Sequence, residues 1–557
     1  MKPISSNMFK LTAISAMILS TTSASAALYQ VIEVTPPTTF AFESVYGVAI
    51  QPGNVADDKP LGCFADNNCE SSFKLAGETR LVATHAGQAI DGLSYREEAP
   101  FGIDNGFIYV QDDARDFERY CRSELRYAIC ETWADIRWNI WKKEINGDQT
   151  PNAIAFVEGQ ATPIDETKNV VVNSLTAKAE PIGITLTPGD VTGSRRNSVK
   201  ALVANTSINI IDAGLQTRAW KTDGNYTVGS VAHEKTNNQG NFYTSKGAIW
   251  DSSGTMTEIP WQTTNPERDN RLAQGSLRDV TVKDGHIYAV GYNTFYDDRN
   301  FMQASVSSVK VGESNWITKP VTGATVRENG TGGDFIHSHS LLTAVNEHGI
   351  AIGEAKLSRA ESGAYANRLF VVPDINDPKA NFLNGSLFFA GAGGKAEAIN
   401  NFNEIVGQID TEETREVGGK PRRKRGFIYP YGTSVPERQA IFNNRAWLLD
   451  DLTNGGDFSG KNNQYRIIAA NDINDAGVIA ATALKCTGGY DSTAHNAQCG
   501  AGKGQEKTVA VKLVPIAGKT HEDTSPRGMD DLVVERNGAG LGLWSLILGG
   551  LLWFRRK

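Results

Sequence analysis

The stretch Ala344-Val345-Asn346-Glu347-His348-Gly349-Ile350-Ala351-Ile352-Gly353 recurs twice downstream. It returns as Ala398-Ile399-Asn400-Asn401-Phe402-Asn403-Glu404-Ile405-Val406-Gly407 and as Asp472-Ile473-Asn474-Asp475-Ala476-Gly477-Val478-Ile479-Ala480-Ala481. Each copy holds a strand end, an Asn whose side chain can turn the backbone, a Gly or Asn able to take φ > 0, and a second apolar strand. This is one hairpin written three times. Asp279-Val280-Thr281-Val282-Lys283-Asp284-Gly285-His286-Ile287-Tyr288-Ala289-Val290-Gly291 is a looser copy with an Asp-Gly turn and two extra residues before the closing Gly.

Short aromatic strands accompany the hairpins: Gly247-Ala248-Ile249-Trp250, Leu369-Phe370-Val371-Val372, Gly426-Phe427-Ile428-Tyr429, and the run Ala446-Trp447-Leu448-Leu449-Asp450-Asp451-Leu452. Spacings of 54 residues from Asn346 to Asn400 and 74 from Asn400 to Asn474 suit four-stranded blades with insertions better than a tight solenoid. The expected fold is mostly β, a propeller-like repeat of about six to eight blades with one inserted helix. An irregular β-sandwich array is the alternative. Three equivalent Asn positions around a propeller are expected to lie tens of ångströms apart and to act as turn residues rather than ligand contacts.

Residues 114–145 show the one convincing helical period, with Cys121, Leu125, Ile129, Trp133, Ile136 and Ile140 spaced by three or four. On one straight helix Cys121 and Cys130 would sit ~13.5 Å apart, beyond the ~7 Å limit for a disulfide. They are therefore expected to bond across to Cys63 and Cys69, stapling a helical insertion at about 112–146 to the preceding loop. Cys486 and Cys499 bracket a Gly, Asn and Ser-rich stretch and are expected to close their own loop. Spacings match no zinc ribbon or finger.

Both ends read as export signals. Lys2 and Lys10 flank a polar start, an apolar run follows to Thr22, and Ala24-Ser25-Ala26 supplies a small-residue cleavage pattern before Ala27. The expected organisation is a signal peptide over 1–26, an ectodomain over 27–535 and a tail over 536–557. In the tail, Asn537-Gly538-Ala539-Gly540 opens an apolar run that ends at Arg555-Arg556-Lys557. A helix from Leu541 to Phe554 would reach only about 21 Å, short of a ~30 Å hydrocarbon core. Removing Lys2 and Lys10 with the signal and Arg555, Arg556 and Lys557 with the tail's end takes the formal charge from −8 to −13, which argues against nucleic acid or an acidic membrane face as partner.

The tail resembles the GlyGly-CTERM sorting signal, in which a Gly-rich site, an apolar helix and a basic cluster are trimmed by a rhomboid-type protease (rhombosortase). Here Ala539 interrupts the Gly-Gly pair, and processing is expected around Gly538, Ala539 and Gly540. The hairpins resemble HAF-type extracellular repeats, which pair an Ala-Phe or Ala-Trp strand with an Ile-Asn-x-x-Gly hairpin. Ala27-Leu28-Tyr29-Gln30-Val31-Ile32-Glu33-Val34, Lys246-Gly247-Ala248-Ile249-Trp250-Asp251 and Leu272-Ala273-Gln274-Gly275-Ser276-Leu277-Arg278-Asp279-Val280 are similar to the DUF3466 family of exported bacterial proteins. That resemblance implies export and a repeat-rich ectodomain and brings no catalytic residues. The partners it implies are the export machinery and a sorting protease, with transient membrane contact through the tail. The implied location is the cell surface or the extracellular space, with an inner-membrane anchor facing the periplasm as the alternative.

Linear chemical motifs are scarce. There is no Gly-x-Ser-x-Gly elbow, and His233-Glu234 lacks the second ligand of a zinc helix. Gly391-Ala392-Gly393-Gly394-Lys395 lacks the hydroxyl residue of a phosphate loop, and Asp472 opens an incomplete calcium loop with Ala483 at its twelfth position. His337 and His339 are the metal candidates: on a strand their rings share a face, with Asp334 and His348 as conceivable further ligands. Asp112, Asp113 and Asp116 are expected to cap a helix. Lys420-Pro421-Arg422-Arg423-Lys424-Arg425 is expected to form a solvated loop. No cofactor and no catalytic residue is assigned. Two function classes follow: a surface binding, adhesion or scaffold module for a polymer or protein, and a secreted hydrolase or lyase drawing its residues from separate blades. A carboxylate pair or histidine cluster at the channel mouth would favour the enzyme; an apolar or Gly-lined channel would favour the scaffold.

Overall fold

The computed structural model describes residues 26–530 apart from 38, 54, 56–58, 82–94, 99–112, 123–129, 192–196, 204–215, 238–239, 269–270, 296–298, 329–332, 414–421 and 433–434. Seven small antiparallel sheets stand in a ring, a seven-bladed β-propeller. Blade 1 comprises Ser44–Ile50, Leu75–Arg80 and Ala155–Val157, and blade 2 Asn169–Leu175, Pro181–Val191 and Asn197–Val203. Blade 3 comprises Gln216–Thr222, Tyr226–Asn237, Gly240–Asp251 and Met256–Ile259; blade 4 comprises Ser276–Lys283, His286–Thr294, Met302–Lys310 and Ile317–Pro320. Blade 5 is built on Phe335–Val345, Ala351–Leu357 and Asn367–Val372, flanked by the short strands Val326–Arg327 and Asn381–Phe382. Blade 6 comprises Gly394–Ile399, Glu404–Asp410, Lys424–Pro430 and Trp447–Leu448, and blade 7 Tyr465–Ile473, Ile479–Cys486 and Glu506–Pro515.

The ring is closed by its two ends. Tyr29–Glu33 pairs antiparallel with Glu506–Pro515, Tyr29 opposite Pro515 and Glu33 opposite Val511, so the first described strand is the fourth strand of blade 7. The leading strand of each blade touches that of the next, and that of blade 7 touches that of blade 1, all the way round. Apolar clusters fill the seams: Val290, Val306, Leu342 and Phe370 between blades 4 and 5, and Ile352, Val371, Ile405 and Phe427 between blades 5 and 6. At the closure Leu28, Tyr29 and Val31 pack with Ile479, Val511 and Leu513. This is sheet-on-sheet burial repeated around a ring, and it excludes the sandwich alternative.

The hairpin repeat supplies the first turn of blades 5, 6 and 7. Gly349, Asn403 and Gly477 occupy its left-handed position, at φ of 79°, 61° and 87°. In blade 4 the Asp284-Gly285 turn takes φ of 50° and 73° between Lys283 and its partner His286. The aromatic runs at 247–250, 369–372 and 426–429 lie on third strands, and Trp447 lies on a fourth.

The insertion between the second and third strands of blade 1 departs from the sequence reading. In place of one helix there are two, Ala114–Tyr120 and Glu131–Ile145, which pack on each other. Asp113 caps the first, accepting from the backbone N–H of Arg115 and Asp116. Because the helix is interrupted, Cys121 and Cys130 come to a Cα separation of 5.7 Å and bond to each other, leaving Cys63 to bond Cys69. The expected cross-bridges are thus corrected, whereas Cys486 bonds Cys499 as expected. All six cysteines are paired, the thiol state of an oxidising, exported compartment. Among the described residues no helix is long and apolar enough to cross a membrane. The expected signal peptide up to Ser25 and the expected sorting tail at 536–557 lie outside the described residues.

Candidate ligand site in the central channel

In every blade the pairing of the first two strands slips by one residue within the first strand, placing a β-bulge at Val48, Asn173, Trp220, Arg278, Thr343, Glu397 and Asn471 in turn. A bulge re-aims its side chain. These seven residues all line one cavity of about 140 Å³ at the waist of the channel, one from each blade.

A glycine sits across from six of the bulges, at Gly77, Gly183, Gly229, Gly291, Gly353 and Gly407. A Cβ on Gly353 would meet Leu341 O at 2.2 Å, and one on Gly407 would meet Lys395 O at 2.0 Å. The Gly that closes the repeats of blades 4, 5 and 6 is therefore required by close backbone approach, not by its own φ, while blade 7 closes on Ala481.

From the waist the channel widens on one face into a basin of about 970 Å³, lined by the first turns of all seven blades. Its rim is tied by the repeat asparagines. Asn346 Oδ1 accepts from the backbone N–H of His348 (3.2 Å) and Ile350 (3.0 Å), while its Nδ2 donates to Asn400 O at 3.1 Å in the next blade. Asn400 repeats the pattern toward Asn474 O (3.2 Å), and Asn474 donates to Gln51 O (3.1 Å) across the ring closure. The turn role holds, but the expected wide separation is corrected: blades 5, 6 and 7 are consecutive, and each Asn touches the next unit.

Asp279 and Asp472 face the waist at matching positions. Asp279 accepts from Val280 N (2.8 Å) and, in blade 5, from Val345 N (3.0 Å). Asp472 accepts from Ile473 N (3.0 Å) and, in blade 1, from Ile50 N (3.0 Å). Burial pushes Asp279 up to about 6 against the pull of Lys221, and raises Asp472 in the same way. Lys221, half-buried beside them, is held above the ordinary lysine range chiefly by Asp472, burial opposing.

The opposite side of the waist is occupied by a segment from the blade 1 insertion. Arg96 bonds Glu78 and donates to Asn173 Oδ1 at 2.7 Å. Glu98 accepts from Ser230 Oγ (2.8 Å), Ser276 Oγ (2.7 Å) and Tyr292 OH (3.0 Å). Burial alone would raise Glu98, but Arg278 and Arg218 outweigh it and hold its carboxyl low. Arg278 Nη2 bonds Glu97 at 2.7 Å and Glu98 at 2.8 Å, and the guanidinium lies 3.5 Å from the centre of the Trp220 ring.

The metal candidates are not brought together. His337 is buried and stacks on Phe382 at 4.7 Å, its pKa lowered to about 4 by burial and Arg368, whereas His339 accepts from Met302 N at 3.1 Å. Asp334 pairs with Arg359, and His348 lies past the far end of the strand, bonded to Asn401 O. Among the described residues no group of three His, Cys, Asp or Glu gathers around a metal position. The basic run is no solvated loop where it is described. Arg422 is buried and donates to Gly391 O (2.8 Å), Lys424 pairs with Asp410 (2.7 Å), and Arg425 with Asp450 (3.1 Å).

Fold and site define an exported seven-bladed propeller with a polar channel that opens through a basin made by its inner turns. The chain belongs to the family described as a protein of unknown function, DUF3466, which matches residues 211–557. No curated protein matches it. Among solved structures it is similar to a Trypanosoma rangeli sialidase in complex with sialic acid, at 8% identity and a TM-score of 0.30, covering 88% of this chain and 59% of that one. A Penicillium chrysogenum α-L-arabinanase complexed with arabinobiose is similar at 9% identity and a TM-score of 0.25, covering 88% and 98%. A Cellvibrio cellulosa α-L-arabinanase mutant follows at 12% identity and a TM-score of 0.23, covering 45% and 86%. Likeness at this level carries no functional argument.

Proposed function

We propose that this is an exported binding or scaffold protein of the cell surface, taking its ligand through the basin into the channel. The observation that carries this reading is the commitment of the two channel carboxylates. Asp279 and Asp472 each spend both oxygens on backbone amides, one of the next residue and one of the neighbouring blade, so the pair is occupied in holding the ring. Around them the basin offers turns from all seven blades, the layout of a recognition surface. The N-terminal signal and the sorting-like tail support delivery to the surface.

A second reading, a hydrolase or lyase, is favoured by the raised Asp279. A carboxylic acid near 6 is suited to give and take protons at working pH. Binding of the purified protein to envelope glycans, secreted polymers and peptides, with analysis for cleavage products, separates the two. Saturable binding without product is expected. Product formation that disappears in Asp279→Asn would replace the binding reading with the enzymatic one.

A further inference from the structure

Hydrogen-bond partners at the waist are unevenly distributed. Its acids are provided for: Asp279 and Asp472 by amides, Glu97 by Arg278, and Glu397 by Lys395 at 3.4 Å. The surplus lies with donors. Trp220 Nε1 and Arg278 Nη1 are buried without a partner among the described residues, although both side chains line the cavity and Arg278 is only 4% exposed. An indole N–H and a guanidinium can only donate, and a buried donor left unmet is costly. Lys221 follows Trp220 directly at the bulge, so both side chains turn to the same channel.

We propose that the channel waist is a carboxylate-binding site, in which Trp220, Lys221 and Arg278 receive a monoanionic carboxylate entering from the basin. The assignment rests on the binding reading above and names its ligand class. A carboxylate offers two acceptor oxygens in one plane, matched to a guanidinium and neighbouring donors. Asp279 and Asp472 stand close by and disfavour a ligand of higher negative charge, which selects against phosphate. The cavity, about 140 Å³, admits a carboxyl group and a few attached atoms, leaving the rest of the ligand in the basin.

The test uses the whole purified protein and paired probes: galacturonic acid with its methyl ester, and acetyl-dialanine with its C-terminal amide. The first pair stands for an acidic sugar and the second for a peptide end. Calorimetric titration should show at least one acid binding roughly tenfold or more tighter than its neutral twin. Trp220→Phe keeps a ring beneath Arg278 but removes the N–H, and Lys221→Met keeps the stem but removes the charge. Each should weaken the acid about tenfold, leave the neutral twin unchanged and melt within about 2 °C of the parent. Equal binding of acid and neutral twin, an acid affinity indifferent to both variants, or phosphate binding as tightly as either acid would each overturn the assignment. If a neutral polymer or peptide binds and neither acid does, the carboxylate site falls alone; if nothing binds, the binding reading falls with it.

Discussion

Replacing Gly407 with Ala would place a methyl carbon 2.0 Å from Lys395 O and 3.0 Å from Phe427 Cε1. That is about 1 Å or more inside ordinary contact. The first obstacle is backbone, so no rotamer change relieves it. Either the blade 6 bulge opens or the strand shifts. Over-packing of this kind costs about 1 to 3 kcal/mol, and the severity of the contact puts Gly407 at the upper end. Against this stands a gain of ~0.5 to 1 kcal/mol from restricting the unfolded chain. The net loss should be about 2 kcal/mol, read as a lowered urea midpoint at unchanged slope. Gly460→Ala is the control, because a Cβ there meets nothing within 4 Å. A Gly407→Ala protein as stable as the Gly460→Ala one would refute the close-approach argument and with it the account of why the repeats of blades 5 and 6 close on Gly.

Asn400→Ala should cost about 2 to 3 kcal/mol, because it strands the Phe402 and Glu404 amides and removes the bonds to Glu404 and to Asn474 O; hydrogen exchange should speed up on both sides of the seam between blades 6 and 7, and loss confined to blade 6 would show that no inter-blade tie exists. Asp279 ionises near 6 when folded against 3.8 as its ordinary value, so its contribution is greatest below pH 3.8 and is lost as pH rises through 6. Stability profiles of parent and Asp279→Asn should therefore diverge over that window by up to about 3 kcal/mol, and parallel profiles would contradict the shift. His337 has the opposite sign: its depressed pKa, about 4, gives stability that is whole above 6.5 and fades as pH falls, so His337→Phe should flatten the acid limb of the parent's curve. Intact mass of surface material should place the N-terminus at Ala27 and the C-terminus between Gly538 and Gly542; Lys557 on the mature chain would remove the sorting reading.

What the sequence disclosed is what is local. Turn Asn, left-handed Gly or Asn and the closing Gly all act within one hairpin, so blades 5, 6 and 7 were legible and blade 4 nearly so. Among the described residues blades 1 and 2 have three strands each, and they use Gln51 and Thr176 where the repeat has Asn, so the pattern fades. Cys121 and Cys130 misled because a helical period says nothing about where the helix breaks. The basic run misled because its charges are matched by Asp410 and Asp450, contacts that only folding brings into range. The channel residues carried a signal that went unread: in blades 5 and 6 the bulge residue stands three positions before the turn Asn and ten before the closing Gly, which points to Thr343 and Glu397 from sequence alone.

The seam in blade 7 also dictates an order of events. Among the described residues Tyr29–Glu33 is the first strand to be made and its partner Glu506–Pro515 the last, so roughly 480 residues and, at ~5 to 20 residues per second, about 25 to 100 s separate the two. Throughout that interval an apolar strand has no sheet to join, and once Tyr465–Ile473 and Ile479–Cys486 are made blade 7 presents a bare edge, of the kind that recruits strands from other molecules, until its last strand follows. A newborn chain of this design needs a custodian for its N-terminus, and any fragment that stops short of Pro515 should clump rather than fold.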